Sequence, residues 1–428
     1  MADISHVPND LLRIIMLCTN AIEREDMFST LWHSWDIWPD SCPIHDKVVY
    51  RFTPVSLILA MVSWRFRTLC FTLRGLCIDW PAQCRATWFQ SNQAHVDIMR
   101  MPFDLKDDHI TRFPYFSHLH SIILCNVKNI TESGWVNLGK ITPKVCNWNF
   151  DYSSISDKGL EYIFRQCPVK NISLRLTDIS DKLFQTLACQ GEQDGVNYMQ
   201  ALEEIDLAMV NLTDTGVAIM AQHASSLKKV CLEYCHFVSS TGIMHLTVRC
   251  NIHEMLVTHA TKEMIFSLLL CGDLQKVSVC GKEIKDDHVH MLLSNCILLQ
   301  HIDLSFTSIT TPGIRNVAHL FSGITSIVLA SCDVHDELIV ALVRHCKQIT
   351  SFHLGDTKVT NISLFHISHL PTVFSVQVQG CKVDFEAVIH LITRHKEMFL
   401  FDISFTFVVT AQMKLSVEKV NSKLKLHY

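Results

Sequence analysis

The chain has 428 residues, 48% of them apolar, and a net charge of -5, with a pI near 6.5 and no basic stripe, which leaves no electrostatic footprint for nucleic acid. A mean hydropathy of +0.20 raises the question of a membrane, but the longest apolar runs, Val55–Trp64 and Met264–Cys271, fall short of the roughly 18 residues a span needs. Residues 1–10 carry no charged segment followed by an apolar run, so secretion is not expected either.

At the start, Asn9 or Asp10 can cap a short helix with apolar residues at Leu11, Leu12, Ile15 and Leu17. Residues 19–55 follow, with Glu23–Asp26 and the tryptophans Trp32, Trp35 and Trp38, and read as a partly ordered insertion whose rings pack locally. A second helix is expected over Val62–Leu69, with Leu76–Trp80 leading out of the module. The run Val7-Pro8-Asn9-Asp10-Leu11-Leu12 resembles the opening of an F-box. Val62-Ser63-Trp64-Arg65-Phe66-Arg67-Thr68-Leu69 is similar to that family's Val-Cys-x-x-Trp-Arg-x-Leu helix. Phe66 stands where the family has Trp, Ser63 where it has Cys, and residues 19–55 lengthen the interval. The resemblance implies a small α-helical F-box-like module over residues 1–85. In it, Val7, Pro8, Leu11, Leu12, Ile15, Val62, Phe66 and Leu69 would lie at or near the interface with a Skp-type adaptor.

From residue 94 to 428 one beat dominates. Apolar phase marks recur at Ile98, Leu124, Phe150, Leu174, Leu207, Leu232, Val257, Val279, Leu304, Leu329, Leu354, Val378 and Ile403; ten of the twelve steps are 24 to 26 residues, and the exceptions are 33 and 22. Such a period marks a solenoid, whose units bury their apolar faces only against neighbours. Alternating apolar residues before each mark predict a short strand, as in Ile302 and Leu304. Three positions after the mark a short side chain recurs, Thr177, Thr307, Thr357, Thr406, Cys235, Cys332, Cys381 or Ser153, placed to bond backbone leaving the strand.

Next come an aliphatic residue and a helix start, as in Ile155-Ser-Asp-Lys-Gly, Leu212-Thr-Asp-Thr-Gly and Ile309-Thr-Thr-Pro-Gly. Ser156, Thr213 and Thr310 are N-caps, Asp157 and Asp214 suit the helix dipole, and Pro312 fits the first turn. Several helices end on a cysteine: Cys167, Cys250, Cys296 and Cys346. The 33-residue step holds an insertion near Gln190–Tyr198, read as a polar loop. The repeat around Val257 is short and lacks the Ser/Thr-Asp-x-Gly turn, and residues 412–428 are read as a C-terminal cap.

These units resemble the cysteine-containing leucine-rich repeats of F-box proteins. The expected class is α/β: a right-handed leucine-rich-repeat solenoid, a horseshoe with a parallel sheet on its concave face and helices on its convex face, preceded by the F-box-like module.

No catalytic or metal constellation stands out, and no cofactor is expected. Cys42 and His45 lack a second ligand pair, and His288 and His290 lie in a predicted helix where their spacing points the rings apart. The 18 scattered cysteines read as reduced thiols, which fits a cytoplasmic or nuclear protein. Function then falls to the concave face, whose positions three before, one before and one after each mark include Glu204, Asp206, Glu233, His301, Asp303, His353 and Asp402. The resemblance implies a non-enzymatic substrate-recognition adaptor of a cullin-RING (SCF-type) ubiquitin ligase. It would be a monomer within that complex, holding a protein substrate on this face. The alternative is a repeat scaffold with no ligase role.

Overall fold

The computed structural model describes residues 50–52, 76–79, 96–101, 103–113, 115–407, 409–422 and 424–427. They belong to two compact units, Met1–Lys229 and Val230–Tyr428. In the first, β1 (Tyr50–Phe52), β2 (Leu76–Asp79), β3 (Val96–Arg100), β4 (Ser121–Ile123), β5 (Asn147–Asn149), β6 (Asn171–Ser173) and β7 (Glu204–Asp206) pair in chain order, all parallel. The crossovers carry α1 (Asp107–Ile110), α2 (Glu132–Ile141), α3 (Asp157–Gln166), α4 (Asp181–Asp194) and α5 (Asp214–His223).

The second unit is built the same way. After β8 (Lys229–Leu232), the strands β9 (Glu254–Thr258), β10 (Lys276–Cys280), β11 (His301–Asp303), β12 (Ser326–Val328), β13 (Ser351–His353), β14 (Ser375–Gln377), β15 (Leu400–Asp402) and β16 (Lys425–His427) run parallel in sequence. Between them lie α6 (Ser240–Arg249), α7 (Lys262–Leu268), α8 (Asp286–Asn295), α9 (Thr311–Asn316), α10 (Asp336–His345), α11 (Asn361–Ile367), α12 (Phe385–Arg394) and α13 (Ala411–Val420). One parallel strand and one helix per repeat make each unit a leucine-rich-repeat solenoid.

The phase marks sit where the beat places them. They are buried and lie in the last residues of their strand or just after it, and those that follow it, such as Leu304 and Leu354, donate their N–H to the carbonyl just before the next mark, Val328 at 2.9 Å and Gln377 at 2.8 Å. Ile98 is the exception: it pairs with Ser121, and Met101 makes the mark's bond, to Ile123 at 2.9 Å. In Val-Asp-Ile-Met-Arg-Met the apolar positions are dense, so periodicity alone cannot choose between candidates three apart. The sheet also takes in β1 and β2, which precede residue 94 and begin 26 residues apart, Tyr50 opposite Leu76.

Between sheet and helices the core is close-packed aliphatic, with Trp135, Phe150, Phe321, Phe352 and Phe401 among its largest fully buried side chains. The short side chains after the marks form a ladder. Thr307 and Thr357 donate to the carbonyls of Leu304 and Leu354, both at 2.6 Å, and Cys332 and Cys381 of the following repeats reach the same two carbonyls at 3.0 and 3.1 Å. Ser156, Thr213 and Thr310 cap α3, α5 and α9 with their hydroxyls.

A second ladder runs between repeats. The aspartate at the first position of a helix accepts from both the N–H and the hydroxyl of the next repeat's cap: Asp157 from Ser180 at 2.9 and 2.6 Å, and Asp286 from Thr310 at 2.8 Å twice. This explains the glycine of the turn motif. A Cβ on Gly216 or Gly313 would overlap the carboxylate of Asp181 or Asp286, which those caps hold in place.

The insertion near Gln190–Tyr198 is a loop only in its second half: Gln190–Asp194 extend α4 to 14 residues, and Gly195, at φ 67°, ends the helix and opens the turn that follows. The tail forms α13 and then β16, which continues the sheet beside β15.

Candidate partner-binding face

Alternation along each strand sends every second side chain away from the helices. The positions three before, one before and one after the mark therefore form three rows across each sheet.

In the first unit these rows carry charge that is paired within the face. Glu204 and Asp206 of β7 are both buried. The Lys229 ammonium lies 3.5 Å from Glu204, and Arg175 pairs through Nε with Asp206. Beside them Asp151 is also buried and accepts from the Ser173 hydroxyl at 2.5 Å, the Asn149 amide at 3.1 Å and the Arg175 N–H at 3.1 Å. Burial drives the Asp206 carboxyl up to about 6, against the pull of Arg175 and of the Ala208 N–H. Burial likewise raises Asp151 above the usual carboxylate range.

In the second unit Asp303, His353 and Asp402 lie on one row, in register Asp303–Val328–His353–Gln377–Asp402. Asp303 accepts from Ser278 at 3.2 Å and from the Ser305 N–H and hydroxyl at 2.8 and 2.6 Å; Asp402 accepts from the Ser404 N–H at 2.9 Å. Among the described residues no lysine or arginine lies within ion-pair distance of either carboxylate. His353 lies midway, its Nε2 2.6 Å from the Gln379 amide, and burial lowers its pKa despite the nearby acids. Between the two acids the face carries the small side chains Ser326, Ala330, Ser351, Gly355 and Ser375 together with Val328, His353, Gln377 and Gln379. His301 is partly buried on β11, and Glu233, just after β8, is buried with the Cys231 thiol 3.7 Å from its carboxylate. All seven expected docking residues thus sit at face positions, divided between the units. The expected adaptor-contacting residues, Val7, Pro8, Leu11, Leu12, Ile15, Val62, Phe66 and Leu69, lie outside the described residues.

One row was not anticipated. The residue two after the mark takes left-handed backbone geometry in nearly every repeat: Asn126, Tyr152, Leu176 and Met209 in the first unit, and Tyr234, His259, Phe306, Ser331, Asp356, Gly380 and Phe405 in the second. In most of these repeats its N–H donates to a carbonyl of the next repeat, as from Tyr152 to Arg175 at 2.8 Å and from Phe306 to Ala330 at 2.9 Å, and the Tyr234 N–H donates instead to the Thr258 hydroxyl. Several of these side chains are large, apolar and half-exposed. The signal was present in the sequence: no β-branched residue occupies this position, as left-handed geometry requires.

The cysteines at helix ends are C-caps, as expected, and the Cys346 thiol donates to the Ala318 carbonyl at 3.4 Å. Burial pushes the Cys167 and Cys346 thiols up to about 12 and those of Cys250 and Cys296 to about 11, which keeps them protonated and poor nucleophiles. His288 is buried and accepts from the Lys285 N–H at 3.1 Å, while His290 is exposed on the same helix. Among the described residues no group of three potential metal ligands converges, and no helix is long and apolar enough to cross a membrane.

No protein-family model and no curated protein matches the chain. Among solved structures it is similar to an internalin (inlF) from Listeria monocytogenes, at TM-score 0.42 and 14% identity over 73% of this chain and 81% of that one. It is similar to the yeast Rad7 and Elc1 complex at TM-score 0.51 and 14% identity, over 89% and 90% of the two chains, and to the TLR13–ssRNA13 complex at 0.46 and 11%, over 83% and 59%. At these identities the likeness concerns the fold. The Rad7 match, which spans most of both chains, agrees with the leucine-rich-repeat architecture.

Proposed function

We propose that this chain is a non-catalytic recognition subunit that binds a protein partner on its strand face and presents it to a cullin-RING ubiquitin ligase through a Skp-type adaptor. The observation that carries the binding half is the row Asp303–Val328–His353–Gln377–Asp402. Two carboxylates with, among the described residues, no lysine or arginine beside them flank a stretch of small and uncharged polar side chains around His353, a surface suited to a partner segment bearing lysine or arginine. The ligase half rests on the F-box resemblance of Val7–Leu12 and Val62–Leu69. It gains support from the similar yeast structure, in which Rad7 is found in complex with a second protein, Elc1. In this reading the chain contributes effective concentration and orientation, and bond chemistry belongs to its partners. Buried, protonated thiols and the absence of an apolar spanning helix among the described residues are compatible with a cytoplasmic or nuclear setting.

A second reading, a repeat scaffold that meets no adaptor, is favoured by β1 and β2. Tyr50–Phe52 and Leu76–Asp79 pair as sheet strands inside the 1–85 span of the F-box-like module, in its insertion and in the segment leading out of it. Co-purification with a Skp-type adaptor separates the two readings. The wild-type chain should retain the adaptor and the double variant Leu11→Asp, Leu12→Asp should lose it; no adaptor with the wild type would leave the scaffold. Asp303→Lys with Asp402→Lys tests the face itself, and a captured partner that binds the variant undiminished would move the contact elsewhere.

A further inference from the structure

We propose that the second unit carries a slot for an aromatic side chain of its protein partner, opened where the left-handed row is interrupted at Gly281; this rests on the partner-binding reading above. The row reads Tyr234, His259, Gly281, Phe306. Tyr234 and His259 stand with ring centroids 6.0 Å apart, and Tyr234 and Phe306 are 45% and 59% exposed. Backbone preference and burial do not by themselves favour aromatic rings there, although Tyr234, His236 and His259 pack on one another. Left-handed backbone favours Gly or Asn, by roughly 1 to 2 kcal/mol over bulkier residues, and a half-exposed ring gains only part of its burial energy.

The gap at Gly281 is imposed by register. β9 and β10 pair over five residues, through Thr258 opposite Cys280, where the pairs that follow run over three. Ala260 then donates to the Cys280 carbonyl at 2.9 Å. A Cβ on Gly281 would come within 2.5 Å of the Ala260 oxygen and 2.7 Å of its nitrogen, backbone atoms that cannot swing aside. This is the repeat shortened to 22 residues, so the missed beat and the missing side chain have one cause.

What remains is a cavity of about 470 Å³ between His259 and Phe306, with Cys280 of the strand face in its wall and Lys282 and Glu283 beside it. His259 and Phe306 are two strand steps apart, about 10 Å. A ring inserted midway has its centroid about 5 Å from each neighbour, inside the range that aromatic pairs prefer. The volume exceeds one ring and leaves room for the backbone that carries it, and the two charges beside it offer a donor and an acceptor to an indole N–H, a phenol or a peptide group. Continuity with the strand face through Cys280 places the slot where a partner lying on that face would reach it.

The test uses the full chain and two capped peptides, acetyl-Gly-(5-fluoro-Trp)-Gly-amide followed by fluorine NMR and acetyl-Gly-Leu-Gly-amide as competitor. The tryptophan peptide should bind the wild type, the leucine peptide should fail to displace it, and His259→Asn or Phe306→Asn should weaken binding at least 10-fold. Asn tolerates left-handed backbone, so these variants keep the fold, and Leu176→Asn, on the same row of the first unit, should bind as the wild type does. No binding, displacement by leucine, or undiminished binding by both Asn variants would each overturn the slot. Loss of adaptor co-purification leaves it standing, and its failure leaves the adaptor result intact.

Discussion

Asp336 accepts from the Thr360 N–H and hydroxyl at 2.8 and 2.7 Å and from the Ser363 N–H and hydroxyl at 3.2 and 2.5 Å. Burial pushes its carboxyl up, but these donors outweigh burial and hold it below the usual 3.8. The folded state therefore prefers the anion: the stabilisation is complete above the unfolded value, about 3.9, and is lost as pH falls through the folded one. Asp336→Asn should be less stable than wild type at pH 7 by urea titration, with the difference shrinking below about pH 4. Asp206 carries the opposite sign. Its carboxyl is raised to about 6, so folding favours the protonated form, and the cost of ionisation grows as pH climbs from about 4 through that value. A carbon NMR titration should place its midpoint near 6, and Arg175→Met, by removing the cation, should raise it further. At Gly313 an added methyl meets a carboxylate held by two hydrogen bonds, so Gly313→Ala should lower stability by about 1 to 3 kcal/mol in the same urea assay.

At the scale of strands and helices, the mark-plus-three ladder gives a buried carbonyl two side-chain donors from successive repeats. Thr357→Val keeps the volume but leaves the Leu354 carbonyl to Cys381 alone, and should cost about 1 kcal/mol by thermal melting. Strands, caps and this ladder were legible in the sequence because each is set by residues within a few positions of one another: the apolar alternation, the Ser or Thr before the helix, the small side chain three after the mark. The Asp-to-cap ladder was not, because Asp286 and Thr310 are 24 positions apart and either looks complete as a local helix-start residue. The insertion misled for a related reason. Gln190–Tyr198 is polar and holds Gly191 and Gly195, which reads as a loop, yet only Gly195 takes positive φ, and Gly191 stays helical beneath the Val196 carbonyl, 2.5 Å from where its Cβ would stand. On the candidate face the positions were legible and the pairings were not. Glu204 and Asp206 read as docking residues in sequence, while Lys229 and Arg175 from neighbouring repeats engage them.

For the molecule as a whole, stability is distributed along each unit, because every repeat is held by its neighbours. Leu354→Ala should cost about 2 to 5 kcal/mol, and amide exchange should quicken first in β12, β13 and β14, with β9 still protected; uniform acceleration across the unit would show that its repeats melt together. The left-handed row has a separate consequence. Most of its residues are tied to the next repeat through the backbone N–H while the side chain stands clear, as Tyr152, Leu176 and Phe306 illustrate. Its identity can therefore be rewritten, among residues that accept left-handed backbone, without touching a core contact or a sheet hydrogen bond. The row is a printed line of type: one character per repeat, set at a pitch of about 4.8 Å, with glycine as the blank, so residues grafted there would be read by a partner in fixed order and spacing.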